Sequence, residues 1–221
     1  RAIVISEPGG EGVVFLLDDA GVLRRLERGV EEALGAASQA AGGALGVAFL
    51  EAGRPALALR DGGIERSGRH LGPDTRIWST ARGALFVDPV GGLVWLEPDA
   101  PALARDLDPE LAEIAVAASA LHADDRFLVL TGRAGVLRVD RAAREITRVE
   151  HPGARWEGFG TFEGGLPGLA VTRVRDGFFA VDLWTGARDP LGTGRLVGIV
   201  GGHAWFAGIG ELYVVADPGA Q

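Results

Sequence analysis

The stretch IAVAASALHADDRFLVLTGRAGVLRVD, residues 114–140, decides the fold. Two apolar alternating runs, Phe127–Leu130 and Val136–Val139, flank a short turn that contains Gly132 and Gly135, and a shorter element, Ile114–Ser119, precedes them. Alternation with a period of two is the pattern of strands with one inward and one outward face. A tight reversal between two strands needs a positive backbone dihedral, which glycine supplies without steric cost.

The same unit recurs six times along the 221 residues. Copies begin at Gly12 (GVVFLLDDAGVLRRLE), Gly46 (GVAFLEAGRPALALRD), Gly83 (GALFVDPVGGLVWLEP), Arg126, Gly168 (GLAVTRVRDGFFAVDL) and His203 (HAWFAGIGELYVVADP). Gly21, Gly92, Gly135, Gly177 and Gly210 mark the turn, and Arg54-Pro55 after Gly53 takes that place in copy two. Each copy is preceded by a short element: Ile3–Ser6, Gly35–Ser38, Ile77–Thr80, Ile114–Ser119, Trp156–Thr161 and Leu196–Gly201. A more polar strand candidate follows, as at Ala102–Leu107 and Glu145–Glu150.

Four strands per unit at a period of about 37 residues is the arithmetic of a β-propeller blade. The expectation is an all-β, six-bladed propeller forming a single domain over 1–221. Its blades span approximately 1–34, 35–71, 72–108, 109–151, 152–192 and 193–221. An incomplete ring belonging to a larger propeller is the alternative. Copy six ends at Asp217, with too few residues beyond it for a fourth strand. The last blade is therefore expected to have three strands, or to take its fourth from another part of a longer chain or from a partner.

Two stretches compete with this reading. Asp108-Pro109-Glu110 carries a helix-start signal ahead of Leu111, Ile114 and Ala118. The fit of 114–140 to the repeat favours a short turn and then a strand there. Val30–Leu34 is similarly ambiguous and is read as strand.

The stretch AASALHADDRFLVLTGRAGVLRVD (117–140) resembles WD40 and quinoprotein-like propeller repeats, and GFFAVDLWTGARDP (177–190) is similar to the quinoprotein-type strand followed by Asp, an aromatic and Thr-Gly. The resemblance is strongest over 114–186. It implies a propeller and brings no function with it. In composition and size the chain also resembles the propeller found beside MoxR ATPases and von Willebrand A domains. Pyrroloquinoline quinone dehydrogenases are similar only in blade style, and no Ca²⁺-plus-quinone site is identified. The Ser-x-Asp-x-Gly-x-x-Trp box of sialidase-type propellers does not occur.

Composition removes several chemistries. There is no Cys and no Lys, so disulfides, thiolate nucleophiles, zinc knuckles, a Walker A lysine and Schiff-base lysines are excluded. The net charge of −8 argues against general nucleic-acid binding. No apolar run reaches the ~20 residues that span a bilayer. Met is absent and Arg1 comes first, which predicts an excerpt of a longer chain, whose other domains are candidate partners. The cytoplasm is the working expectation for its compartment.

Candidate catalytic groups are few. His70, His122, His151 and His203 are too far apart in sequence to form a close metal pair, and His122 with Asp124 and Asp125 reads as a polar turn. No G-x-S-x-G surrounds any of the five serines, and Ser67 sits in a charged loop, ERSGRH. Asp18-Asp19 are adjacent in a turn, whereas paired carboxylates of a glycosidase face each other across a cleft. GFGTFEGG (158–165) lacks the following helix of a phosphate loop. Most of Trp78, Trp95, Trp156, Trp184 and Trp205 are expected to fill gaps between blades.

One propeller face is built from loops entering each innermost strand and loops between the second and third strands. That rule puts Arg76, Arg155 and Arg195 in the first kind and Arg54, Arg133 and Arg175 in the second, with Trp156 beside Arg155. Arginine suits bidentate contacts to carboxylates, although Asp74, Asp88 and Asp176 dilute the positive field. The function expected is a non-catalytic protein-protein interaction scaffold. Its loop face would meet a partner with an acidic surface, with no cofactor, metal, nucleic acid or membrane insertion. The alternative is a small-ligand-binding or hydrolytic propeller using the central channel.

Overall fold

A computed structural model describes the backbone of residues 2–4, 12–123, 126–132, 134–149, 155–160, 169–174, 177–182, 188–192, 195–200, 203–207 and 212–215, with side chains for those lying between 12 and 149. The chain divides into two compact units, residues 1–116 and 117–221.

Unit one holds three antiparallel four-stranded sheets, each a meander in sequence order. Sheet one comprises β1 (Ala2–Val4), β2 (Val14–Leu17), β3 (Val22–Glu27) and β4 (Val30–Ala36). Sheet two comprises β5 (Ala40–Gly42), β6 (Gly46–Glu51), β7 (Arg54–Leu59) and β8 (Ile64–Arg66). Sheet three comprises β9 (Arg76–Ser79), β10 (Ala84–Val87), β11 (Gly92–Leu96) and β12 (Leu103–Asp106), and is followed by helix α1 (Pro109–Ala117).

In unit two, β13 (Ala118–Ala123), β14 (Phe127–Gly132), β15 (Gly135–Asp140) and β16 (Glu145–Arg148) form a fourth meander. A fifth consists of β17 (Arg155–Gly160), β18 (Leu169–Val174), β19 (Gly177–Asp182) and β20 (Arg188–Gly192). Among the described residues the last sheet has three strands, β21 (Arg195–Val200), β22 (His203–Ala207) and β23 (Leu212–Val215).

Period-two alternation explains the packing of unit one. In β6, Val47 and Phe49 point into a core with Phe15, Leu23 and Leu34 of sheet one, while Ala48 and Leu50 point the other way. Those two meet Ala84, Phe86, Val94 and Leu96 of sheet three. β7 divides likewise, Ala56 and Ala58 to one side and Leu57 and Leu59 to the other. Sheet two is thus apolar on both faces, which is why GVAFLE and ALAL read as nearly continuous hydrophobic runs.

The glycine that opens a repeat has a packing reason. A Cβ on Gly83 would lie 2.6 Å from the Trp95 ring and would press on the Leu96 carbonyl. One on Gly46 would meet the Ala58 carbonyl in the same way. At the other end of β6, Ala52 and Gly53 both have positive φ, 48° and 79°, the signature of a two-residue type I′ hairpin.

Three expectations are corrected. Residues 109–117 are helical: Asp108 caps the first turn by accepting the Leu111 N–H at 2.9 Å, Pro109 stands at the first helical position, and Ala112, Ile114 and Ala115 are buried. The inner strand of the fourth sheet therefore starts at Ala118 rather than Ile114. Second, Gly35 and Ala36 belong to the outer strand of sheet one, and the inner strand of sheet two is Ala40–Gly42. Val30–Ala36 is strand, as read. Third, the turn glycine of copy three with positive φ is Gly91 (99°), one residue before Gly92, which opens β11. Among the described residues no helix is long and apolar enough to cross a membrane.

Candidate functional site

One backbone contact recurs where a sheet hands over to the next element. A residue of the segment that follows the outer strand donates its N–H to a carbonyl in the turn between that sheet's second and third strands: Ala37 to Gly21 (2.7 Å), Leu71 to Gly53 (2.8 Å) and Leu107 to Gly91 (2.8 Å). In unit two the corresponding bond, Val149 to Val136 (2.9 Å), falls just inside the third strand, β15. In unit one these bonds tie the turns and the connectors into a platform.

Between sheets two and three the platform is densest. The connector 67–75 starts with the Ser67 N–H on the Pro55 carbonyl at 2.9 Å, passes Gly53, and then gives the Gly72 N–H to Asp88 Oδ2 at 2.6 Å. Asp88 Oδ1 accepts the N–H of Val90 at 2.7 Å. The carboxylate is 5% exposed, so the loop aspartate expected to offset the positive face is turned inward onto backbone donors. It fixes a turn whose tip, Val90, is 89% exposed.

Arg54 and Arg76 stand on this platform. Arg54 opens β7, is exposed, and donates its Nε–H to His70 Nε2 at 3.0 Å. Arg76 opens β9 opposite Val87, stacks its guanidinium 4.6 Å from the Trp78 ring centroid, and donates to the Val116 carbonyl at 3.3 Å. The placement of Arg54, Arg76, Arg155 and Arg195 in loops is corrected: each is the first residue of its strand, β7, β9, β17 and β21. Arg133 and Arg175 lie outside the described residues, as do the side chains of Arg155, Trp156 and Arg195. Within unit one the structure brings Arg54 and Arg76 to the turn end of sheets two and three.

Beside Arg76, between the starts of β5 and β9, is a hollow of about 390 Å³ whose polar rim is Gln39, Asp74, Thr75 and Arg76. The Gln39 amide donates to the Pro73 carbonyl, and the Thr75 hydroxyl donates to the Gly72 carbonyl at 2.7 Å. Arg69 pairs with Asp106 and holds that carboxyl below its ordinary range.

Other polar candidates resolve into local structure. Ser67 is 4% exposed and accepts the Arg69 N–H at 3.1 Å, so it caps the loop. Asp18 accepts the N–H groups of Val22 and Ala20, at 2.8 and 2.9 Å, and its carboxyl lies below the usual range mainly through Val22, with Arg24 adding to the effect. Burial lowers His122. Asp124 and Asp125 lie outside the described residues, and among the described ones no three His, Asp or Glu side chains cluster to hold a metal. Trp95 is buried, with its indole N–H on Glu97 at 3.0 Å. The exposed Val90 was not singled out from the sequence; its signal is DPVG, where an apolar residue takes a tip usually given to polar or glycine residues.

No family model matches the chain, and no curated protein matches it. The narrower likeness to the propeller beside MoxR ATPases therefore has no support. Among solved structures the chain is similar to virginiamycin B lyase of Staphylococcus aureus, at 14% identity over 93% of this chain and 75% of that one, with a TM-score of 0.43. It is similar to BamB of Moraxella catarrhalis at 14% identity over 96% and 72%, with a TM-score of 0.43. A third is Hsv2p of Kluyveromyces lactis, at 8% identity over 92% and 70%, with a TM-score of 0.46. These neighbours are β-propeller proteins.

Proposed function

We propose that the chain forms one six-bladed propeller over 1–221 and serves as a non-catalytic scaffold that docks another protein on its turn face. Arg54, Arg76, Arg133, Arg155, Trp156, Arg175 and Arg195 are the residues assigned to that face, and the partner surface is acidic. The observation that carries the reading is Val90: a large apolar side chain, 89% exposed, on a turn immobilised by a buried carboxylate. Rigid presentation lowers the ordering cost of association, and apolar and arginine side chains are both enriched at interface centres.

The test is retention from lysate of the source organism on the immobilised chain, beside a folded variant carrying Arg54→Glu, Arg76→Glu and Val90→Ser. A protein held by the wild type and lost by the variant supports docking at this face. Equal retention by both removes the face from the account.

A second reading rests on the hollow between β5 and β9. Its Arg76 and Gln39 rim suits a small anionic ligand, bound where polar groups converge. Saturable binding of a small carboxylic acid that is abolished by Arg76→Gln, with partner capture unaffected, would favour it.

A further inference from the structure

The hollow between the starts of β5 and β9 carries charges of both signs, Asp74 and Arg76 on the β9 side, with the amide of Gln39 facing them from the β5 side. The Pro73 carbonyl takes the Gln39 amide nitrogen, so what this side chain offers a ligand is its oxygen, which only accepts. Asp74 is exposed and has no hydrogen bond or ion pair among the described residues. Asp88, the other carboxylate of this end, is turned inward onto the N–H groups of Gly72 and Val90. Two acceptors, one of them a carboxylate, call for a donor on whatever fills the space.

We propose that the hollow is a site for a free α-amino acid with a small apolar side chain, its carboxylate on Arg76 and its ammonium on Asp74 and Gln39 Oε1. This rests on the second reading above for the anionic end at Arg76, and adds the cationic end.

Charge balance carries the choice. A bare carboxylate bound to Arg76 shares the hollow with the Asp74 carboxylate, and a bare amine bound to Asp74 shares it with the guanidinium. Repulsion of that kind discriminates as effectively as attraction does. A ligand with both charges meets an opposite charge at each end. Arg76 is stacked on Trp78 and gives Nη1–H to the Val116 carbonyl, and its guanidinium is a rigid fork of five donors suited to a carboxylate.

The two sides are set before a ligand arrives. The Gln39 carbonyl accepts the Leu50 N–H at 3.1 Å. Thr75, between Asp74 and Arg76, is 2% exposed and gives both its N–H and its hydroxyl to the Gly72 carbonyl, at 3.3 and 2.7 Å. Such preorganisation lowers the ordering cost of binding. Half-buried Ala40, Ala41 and Ile77 complete the lining and suit a short aliphatic side chain. The volume, about 390 Å³, lies within the ~300–1,000 Å³ of small-molecule sites.

The whole chain is titrated with L-valine, with isovalerate, which lacks its ammonium, and with isobutylamine, which lacks its carboxylate. L-Valine should bind up to about fivefold tighter than either, the scale of one exposed ion pair. Asp74→Asn should bring L-valine down to the level of isovalerate, and Arg76→Gln should bring it down to that of isobutylamine. Both side chains are exposed, so the variants should keep the wild-type thermal midpoint. Backbone amide resonances of residues 39–41 and 74–77 should shift as L-valine saturates the wild type.

Isovalerate binding as tightly as L-valine, with Asp74→Asn without effect, overturns the amino-acid site and leaves the anionic reading intact. Isobutylamine binding as tightly as L-valine, with Arg76→Gln without effect, overturns both. Both also fall if none of the three saturates the chain, or if the shifted amides all lie outside the hollow.

Discussion

Asp88 holds Gly72: its Oδ2 accepts the Gly72 N–H at 2.6 Å, joining the turn of sheet three to the connector that arrives from sheet two. The other oxygen fixes Val90. Hydrogen bonds to a charged acceptor contribute ~1.5–3 kcal/mol, and stranding buried donors adds to the loss. Asp88→Ala should therefore destabilise unit one by about 2–4 kcal/mol, read as a lowered urea midpoint. The turn at 88–92 should also gain amide exchange even where the variant stays folded.

Gly83 makes a sharper case, because its substitution adds one methyl group. The Cβ would fall 2.6 Å from the Trp95 ring, and the Leu96 carbonyl beside it is backbone that cannot swing away. Gly83→Ala should cost about 1–3 kcal/mol, the usual scale of overpacking. Gly68, where a Cβ would meet nothing, is the control: Gly68→Ala should leave the thermal midpoint nearly unchanged.

The helix start gives a third expectation. Asp108→Ala removes the acceptor of the Leu111 N–H and should cost ~1 kcal/mol, the typical value for losing an N-cap. Asp108→Ser should recover most of it. Urea unfolding of the three proteins decides.

Acid sensitivity should appear at Asp140. Arg126 reaches Asp140 Oδ2 with Nη2 and Nε at 2.7 and 2.9 Å, and the Ala143 N–H reaches Oδ1 at 2.9 Å. Arg126 first, then Ala143, hold the carboxyl below its ordinary range. A carboxyl depressed in the folded state stabilises the fold above the unfolded value near 3.9, and the contribution disappears as pH falls through the lower folded value. Thermal midpoints of wild type and Asp140→Asn should differ most above pH 5 and converge below pH 4.

The repeat was legible because alternation and turn glycines are local properties. GVAFLEAGRPALAL states two buried strands and a tight turn without any knowledge of what lies beside them. Residues 109–117 were misread because Ile114, Val116 and Ala118 alternate as a strand does, while the alanines among them pack equally well on a helix. The Asp108 cap and tertiary burial of Ala112 and Ala115 decided for helix. At the candidate face the exposed arginines were legible as residue types. Which carboxylates remain to oppose them was not: Asp88 looks like any turn aspartate until its partners 16 and 2 residues away are known. The Arg54–His70 contact likewise joins residues 16 apart through a connector whose path the sequence does not state.

The central claim is that a partner docks on the turn end of the sheets. It is tested most directly by amide hydrogen exchange of the chain alone and of the chain bound to the protein it captures. The account predicts new protection concentrated at residues 51–54, 70–76 and 88–92. Protection confined to outer strands such as Val30–Ala36 and Leu103–Asp106, with those turns exchanging as in the free chain, would contradict it.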